Sequence, residues 1–394
     1  MYMNLMRPFG FYEFFSGGGM ARLGLGDAWK CLFANDFDAK KAEAYRANFN
    51  GADELFHGDV CKVTTEQLPG AATLAWASFP CQDLSLAGAG AGLAGDRSGV
   101  FFPFWNLMLQ LKKEGRNPPI IALENVAGLI TSHGGQDLSN LLIALTDAGY
   151  RVGALQVDGA YFVPQSRPRL FIVAVARGVA IPRGLTAKVP NPSWHSDSLQ
   201  TVVQALPEKA RKGWLWWKLP MPTQEAPHLS TIIEHDPKGV LWHSDAETAR
   251  ILGMMTPGNL DKVKAAKEAG TFQVGTIYKR TRLNIQRAEV RFDGVSGCLR
   301  TPSGGSSRQT IMVVEGDRVR TRLISPRETA RLMGLPETYV LPEKYNDTYH
   351  LTGDGLVVPV VSWIEQHIIR PLAVSAQRVI NERITEGELC QTTP

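Results

Sequence analysis

Across the first 180 residues, short apolar runs alternate with amphipathic stretches, and this alternation constrains the fold more than any other feature. Runs at 10–15, 30–35, 74–78, 120–124, 152–157 and 170–176 read as strands, and the stretches 39–49, 100–114 and 138–148 between them read as helices. A strand followed by a helical crossover and another strand gives a parallel pair. The expected fold class is therefore α/β, a mixed, mostly parallel Rossmann-like sheet with helices on both faces. The last two runs are joined by a short, Pro-containing link that cannot hold a crossover helix. A hairpin is expected there, with one strand antiparallel.

From about residue 181 the texture changes. Pro182, Pro190, Pro192, Pro207, Pro220, Pro222, Pro227, Pro237 and Pro257 interrupt any long element, and Trp214, Trp216 and Trp217 cluster. The tryptophans are expected in a core rather than as a stacking platform. A helix returns at 327–333, opened by Pro326. The expected division is 1–180, a smaller irregular domain at 181–318, and helices at 319–394 that return to the first domain. The 394 residues carry 42 Lys and Arg against 38 Asp and Glu, a net charge of +4, which permits a polyanionic partner without demanding one. Five cysteines without a CxxC argue against a disulfide framework and for a reducing compartment. No apolar run approaches the roughly 20 residues of a membrane helix, and residues 1–10 lack the apolar core of a signal peptide, so a cytoplasmic protein is expected. His133, His195, His228, His235 and His243 have no metal-ligand spacing, and no metal is expected.

Chemistry gathers at the expected carboxyl ends of the strands, where open α/β sheets place their ligands. Phe15-Ser16-Gly17-Gly18-Gly19-Met20 is a Gly-rich turn between a strand and a helix. Asn35-Asp36-Phe37-Asp38 ends the second strand with a carboxylate placed for ribose hydroxyls, and Gly58-Asp59-Val60 offers a contact to an adenine amino group. These three features alone leave a nicotinamide or flavin site open. The decisive segment is Phe79-Pro80-Cys81-Gln82-Asp83-Leu84-Ser85, followed by a Gly- and Ala-rich stretch expected to be a mobile loop ending near Arg97. A cysteine in such a strand-to-loop turn is a candidate nucleophile. Two further segments are Leu123-Glu124-Asn125-Val126 and Pro164-Gln165-Ser166-Arg167-Pro168-Arg169. Strand alternation is expected to put Arg167 and Arg169 on one face, where two cations need an anion or carbonyls to meet.

In this order the segments resemble the cytosine-C5 DNA methyltransferases: Phe-x-Gly-x-Gly at 15–19, Asn-Asp at 35–36, Gly-Asp at 58–59, Pro-Cys-Gln at 80–82, Glu-Asn-Val at 124–126 and Gln-x-Arg-x-Arg at 165–169. Arg322 to Glu328 with Arg331 to Pro336 looks like the family's late helix, and Gly353-Asp354-Gly355-Leu356-Val357 like its last cofactor segment. Glu13 stands where the family usually has Asp, and Asp354-Gly355 where it has Asn-Ser.

The resemblance implies methyl transfer from S-adenosylmethionine to C5 of a cytosine flipped out of double-stranded DNA, through a covalent bond between Cys81 and C6. It implies Cys81, Gln82, Ser85, Glu124, Asn125, Arg167 and Arg169 as the catalytic set. Glu124 in its acid form would serve N3, Asn125 would orient the base, and the two arginines would hold O2, phosphates or Glu124. The cofactor would lie against Phe15, Ser16, Gly17, Gly19, Met20, Asp36, Phe37, Asp59, Val60, Pro80, Asp354 and Leu356. The 181–318 segment falls where the family carries its target-recognition domain. Between 279 and 308 it holds seven basic residues against Glu289 and Asp293. Lys279, Arg280, Arg282, Arg300 and the loop Ser303-Gly304-Gly305, with Gln165 and Arg97, are the expected DNA contacts. A cognate restriction endonuclease is a candidate partner and a monomer the expected state. The competing readings are an RNA substrate, although the Cys-Phe-Thr element of the tRNA-methylating relatives is absent; a DNA-binding regulator on an inactive fold; and a nicotinamide oxidoreductase.

Overall fold

The computed structural model describes residues 8–80, 99, 101–282, 285–301 and 308–377. They form two compact units. The first runs to Val157 and adds Pro168–Met221 and the residues from Val360; the second comprises Asp158–Arg167 and Pro222–Pro359.

Among the described residues, the first unit contains a seven-stranded sheet in the order β3-β2-β1-β4-β5-β7-β6. Its strands are β1 (Phe9–Phe14), β2 (Trp29–Asp36), β3 (Leu55–His57), β4 (Leu74–Ala77), β5 (Ile120–Val126), β6 (Tyr150–Asp158) and β7 (Pro168–Ala176). The order reverses between β1 and β4, which run parallel side by side, so the crevice at their carboxyl ends is the topological switch point. β7 runs antiparallel to β5, as the short link implied. The α/β class is the one expected. The three-residue β3 is the strand the apolar pattern missed.

The intervening helices are α1 (Met20–Leu25), α2 (Ala39–Asn48), α3 (Phe101–Lys113) and α4 (Gln136–Asp147). Asp38 starts α2 by accepting from the amides of Lys40 and Lys41. Helix α3 buries Phe101, Phe104, Trp105, Met108 and Leu111, a helical spacing that lays one apolar stripe on the sheet. Phe104 meets Phe14 of β1 edge-on, with ring centroids 5.0 Å apart. Further on come β8 (Thr186–Ala187), α5 (Asp197–Ala205), α6 (Glu208–Lys212) and β9 (Trp216–Trp217). Trp217 is buried and donates to the Val173 carbonyl at 3.1 Å. Trp214 and Trp216 are partly buried against the core that holds Leu170, Ile172 and Ala174.

The second unit carries α7 (Asp245–Gly253), α8 (Pro257–Glu268) and a four-stranded antiparallel sheet of β10 (Gln273–Arg282), β11 (Ile285–Arg291), β12 (Thr310–Glu315) and β13 (Arg318–Leu323), ordered β11-β10-β12-β13. Ile251, Met255, Val263, Ile277, Val290, Met312 and Val314 form its core. Then follow α9 (Pro326–Leu332), α10 (Tyr345–Asp354) and α11 (Val358–Ile364). Ser325 and Glu328 form a capping box on α9, and the same Glu328 receives both terminal nitrogens of the buried Arg322 at 2.7 and 2.6 Å. The stretch expected to be irregular thus holds a regular sheet. Residues 181–221 pack with the first unit and 319–359 with the second, so the compact units are cut at other places than the expected domain boundaries.

Candidate active site

The turn after β1 is built on positive backbone angles at Phe15, Gly17 and Gly19. At Gly19, with φ of 79°, a Cβ would also stand 2.2 Å from the Phe49 ring, so both conformation and space call for glycine. The turn is tied to the end of β2: Ser16 donates its amide to Asn35 O at 2.9 Å, and Gly17 donates to Asp36 Oδ2 at 2.7 Å. Asp36 Oδ1 accepts from the Asp38 amide at 2.8 Å, and burial pushes the Asp36 carboxyl up. Asn35 completes the frame by donating to the carbonyls of Phe56 and Gly58 at 3.1 and 2.8 Å, which brings the end of β3 alongside. Sequence reasoning gave Asn35 no role of its own; its signal was a buried amide at a strand end. Asp59 opens a short turn by accepting from the Cys61 amide, a bond that holds its carboxyl below the usual range.

Phe15, Ser16, Gly17, Gly19, Met20, Asp36, Phe37, Asp59 and Val60 therefore line the carboxyl ends of β1, β2 and β3. The Ser16 hydroxyl is buried without a hydrogen-bond partner, and the Phe37 ring is 77% exposed beside two carboxylates. An unpartnered hydroxyl, an open aromatic face and carboxylate acceptors suit an adenosine-bearing cofactor. Beneath the turn lies Glu13, fully buried, accepting from the Arg22 amide at 3.3 Å and from the Tyr45 hydroxyl at 3.1 Å. Burial pushes its carboxyl up to about 8. In the second unit, exposed Asp354 and buried Leu356 stand at and just beyond the end of α10.

Beyond β4, Phe79 is buried and Pro80 exposed. Asn125 donates to the Phe79 carbonyl at 2.9 Å, which fixes that carbonyl to the end of β5. Register puts Glu124 opposite Phe171 and Val126 opposite Arg169. Glu124 and Arg169 are thus diagonal neighbours on one face, within reach of a long side chain. Arg169 Nε lies 3.2 Å from Glu124 Oε1, and both side chains stay partly accessible, at 15% and 10%.

The pairing of Arg167 with Arg169 on a strand face does not occur. β7 begins at Pro168, a residue suited to a strand's first position, and Arg167 precedes it in the second unit. Its guanidinium is buried and donates to the carbonyls of Leu299, Gly353 and Gly355 at 3.0, 2.7 and 2.7 Å and to Cys298 Sγ at 3.2 Å. Gln165, expected at DNA, is fully buried as well. Its Oε1 accepts from the Leu299 amide at 2.9 Å and its Nε2 donates to Leu332 O at 2.8 Å. Both side chains serve the backbone of the second unit.

On the β10–β11 hairpin, Lys279 faces Ala288 and Arg280 faces Arg287, and Arg280, Arg287 and Ile285 are exposed. Arg282 is the last residue of β10, and Arg300 is exposed at the end of the 285–301 stretch. Cys81, Gln82, Ser85, Arg97, Ser303, Gly304 and Gly305 lie outside the described residues.

A family model described as C-5 cytosine-specific DNA methylase matches residues 9–370. The chain is 27% identical over 376 residues to the type II methyltransferase M.BsuFI of Bacillus subtilis, covering 94% of this chain and 75% of that one. It is 26% identical over 374 residues to M.HpaII of Haemophilus parainfluenzae, covering 94% and 91%. A crystal structure of S. pombe Dnmt2 methyltransferase superposes with a TM-score of 0.56 at 16% identity, covering 93% of this chain and 99% of that one.

Proposed function

Because the chain belongs to the C-5 cytosine-specific DNA methylase family, whose reaction is methyl transfer from S-adenosylmethionine to cytosine C5, we propose that it flips a cytosine out of a short double-stranded DNA sequence and attacks C6 with Cys81. The observation that carries this reading is the Glu124–Arg169 pair across the ends of β5 and β7, with Asn125 holding the Phe79 carbonyl close by. C5 is a weak nucleophile in the free base, and addition of the Cys81 thiolate to C6 converts the ring into an enamine. Glu124 in its acid form donates to N3, where negative charge gathers, and Arg169 steadies Glu124 and faces O2. The Phe79 carbonyl is an acceptor suited to the exocyclic amine. S-adenosylmethionine supplies the electrophilic methyl group. Water takes the C5 proton, and the C5–H electron pair re-forms the C5=C6 bond as the C6–S bond breaks, releasing the Cys81 thiolate and restoring the aromatic ring. Ser16, Asp36, Phe37, Asp59 and Val60 would hold the cofactor's adenosine, with Pro80, Asp354 and Leu356 as further contacts.

The second unit would read DNA through Lys279, Arg280, Arg282 and Arg300, the cations meeting phosphates and guanine edges. The chain would act in the cytoplasm as a monomer, in the manner of a restriction–modification enzyme with its endonuclease.

Expression in a host lacking cytosine methylation, followed by bisulfite sequencing of its DNA, tests the reading. Protected cytosines are expected in one short context, and Cys81→Ala should lower protection by more than about 10⁴-fold. Soluble protein that protects nothing, or protection that survives Cys81→Ala, would refute it.

A further inference from the structure

Arg167 occupies a place that a catalytic role does not explain. Its Nη1 donates to the Leu299 carbonyl, one residue before the exposed Arg300. Its Nη2 donates to the carbonyls of Gly353 and Gly355, on either side of the exposed Asp354. One planar guanidinium thus holds the backbone next to a residue expected at DNA and next to a residue expected at the cofactor. The two segments also touch directly: a Cβ on Gly353 would come within 3.3 Å of the Thr301 amide nitrogen. Arg167 is itself fixed, since its amide donates to Asp158 Oδ1 at 2.6 Å while Ser166 donates to Asp158 Oδ2 at 3.0 Å. Gln165 anchors the Leu299 amide from the same short segment.

We propose that Arg167 is a positioning residue that locks the 298–301 segment to the 353–355 turn, so that DNA held by the first and cofactor held by the second strengthen each other's binding. The fork geometry matters: five donors in a rigid plane reach both segments at once, whereas a lysine ammonium is a single point on a flexible stem and serves one side. Linkage makes the effect reciprocal, so it can be read from either ligand. The inference rests on the methyltransferase reading above, and the test separates the two.

S-adenosylhomocysteine is titrated calorimetrically into the full chain, with and without excess sheared genomic DNA from a host lacking cytosine methylation. DNA should tighten binding by roughly 5-fold or more in the unaltered protein. In Arg167→Lys that ratio should fall close to one. In Arg169→Lys it should persist while turnover drops. Gly353→Ala keeps Arg167 but forces Thr301 away by a few tenths of an ångström, and it should also lower the ratio; it stands in where Arg167→Lys fails to fold. An unaltered protein that binds no S-adenosylhomocysteine would sink the methyltransferase reading. Binding that DNA does not tighten, or a ratio unchanged in both Arg167→Lys and Gly353→Ala, would overturn the coupling alone.

Discussion

Two residues apart in sequence, Arg167 and Arg169 sit in opposite kinds of surroundings. Arg169 stands at the start of β7 against the Glu124 carboxylate and the neighbouring Pro168 carbonyl, 15% of its side chain still accessible. Arg167 is 2% exposed and donates to three carbonyls and a sulfur. The first arrangement leaves a cation and an acid where a substrate can compete for them. The second ties both terminal nitrogens of the cation to backbone carbonyls and buries them. Polar residues of a family motif therefore divide into those left accessible beside a carboxylate and those spent on backbone, and spacing in the sequence does not separate them.

Removing the carboxylate at the open site tests the distinction hardest. Glu124→Gln should cut the turnover number about 10²- to 10³-fold, as loss of one preorganised polar group does, with little movement of Tm. A large drop in Tm with intact turnover would assign Glu124 a structural role instead. The exposed hairpin should behave as an open region too, with a smaller effect. Replacing Arg280 and Arg287 by Gln should weaken DNA binding and lower the slope of log K against log salt by about one for each phosphate no longer neutralised, with turnover at saturating DNA unchanged. An unaltered salt slope would remove the hairpin from the interface.

The mildest test falls on a buried group. Glu13 is an acid whose folded-state pKa, about 8, lies above its ordinary value because burial disfavours the anion. Its contribution to stability is therefore full at acid pH and declines as pH rises toward 8, since the unfolded chain ionises first. Arg22, Tyr45, Cys31 and Asp36 are the groups facing it. Glu13→Gln cannot ionise, so its Tm should gain on the unaltered protein by several degrees between pH 5 and pH 8. A gap that stays constant over that range would mean Glu13 is not held neutral.

Much of the first unit was legible because its signals are local. The central strands are apolar on both faces, the glycines mark a turn with positive φ, and Asp36 and Asp59 stand at strand ends. The second unit hid its sheet. β10 starts as an apolar strand in Val274, Gly275 and Ile277 but ends in Lys279, Arg280 and Arg282, so no window of the sequence has one clean period. The fate of Gln165 and Arg167 was also illegible. Alternation predicts which way a side chain points only once the strand's first residue is known, and here Pro168 shifts that start past Arg167.

β6 ends and β7 begins as neighbours in one sheet, yet the residues joining them, Asp158–Arg167, are built into the other unit. The chain is spliced there, not appended. A graft that exchanges 222–359 for the matching part of a relative would leave the host's own Gln165 and Arg167 facing foreign carbonyls. With the second unit reading DNA as proposed, moving that reading to another host should require those ten residues to travel with the donor, as a second small cut in the gene.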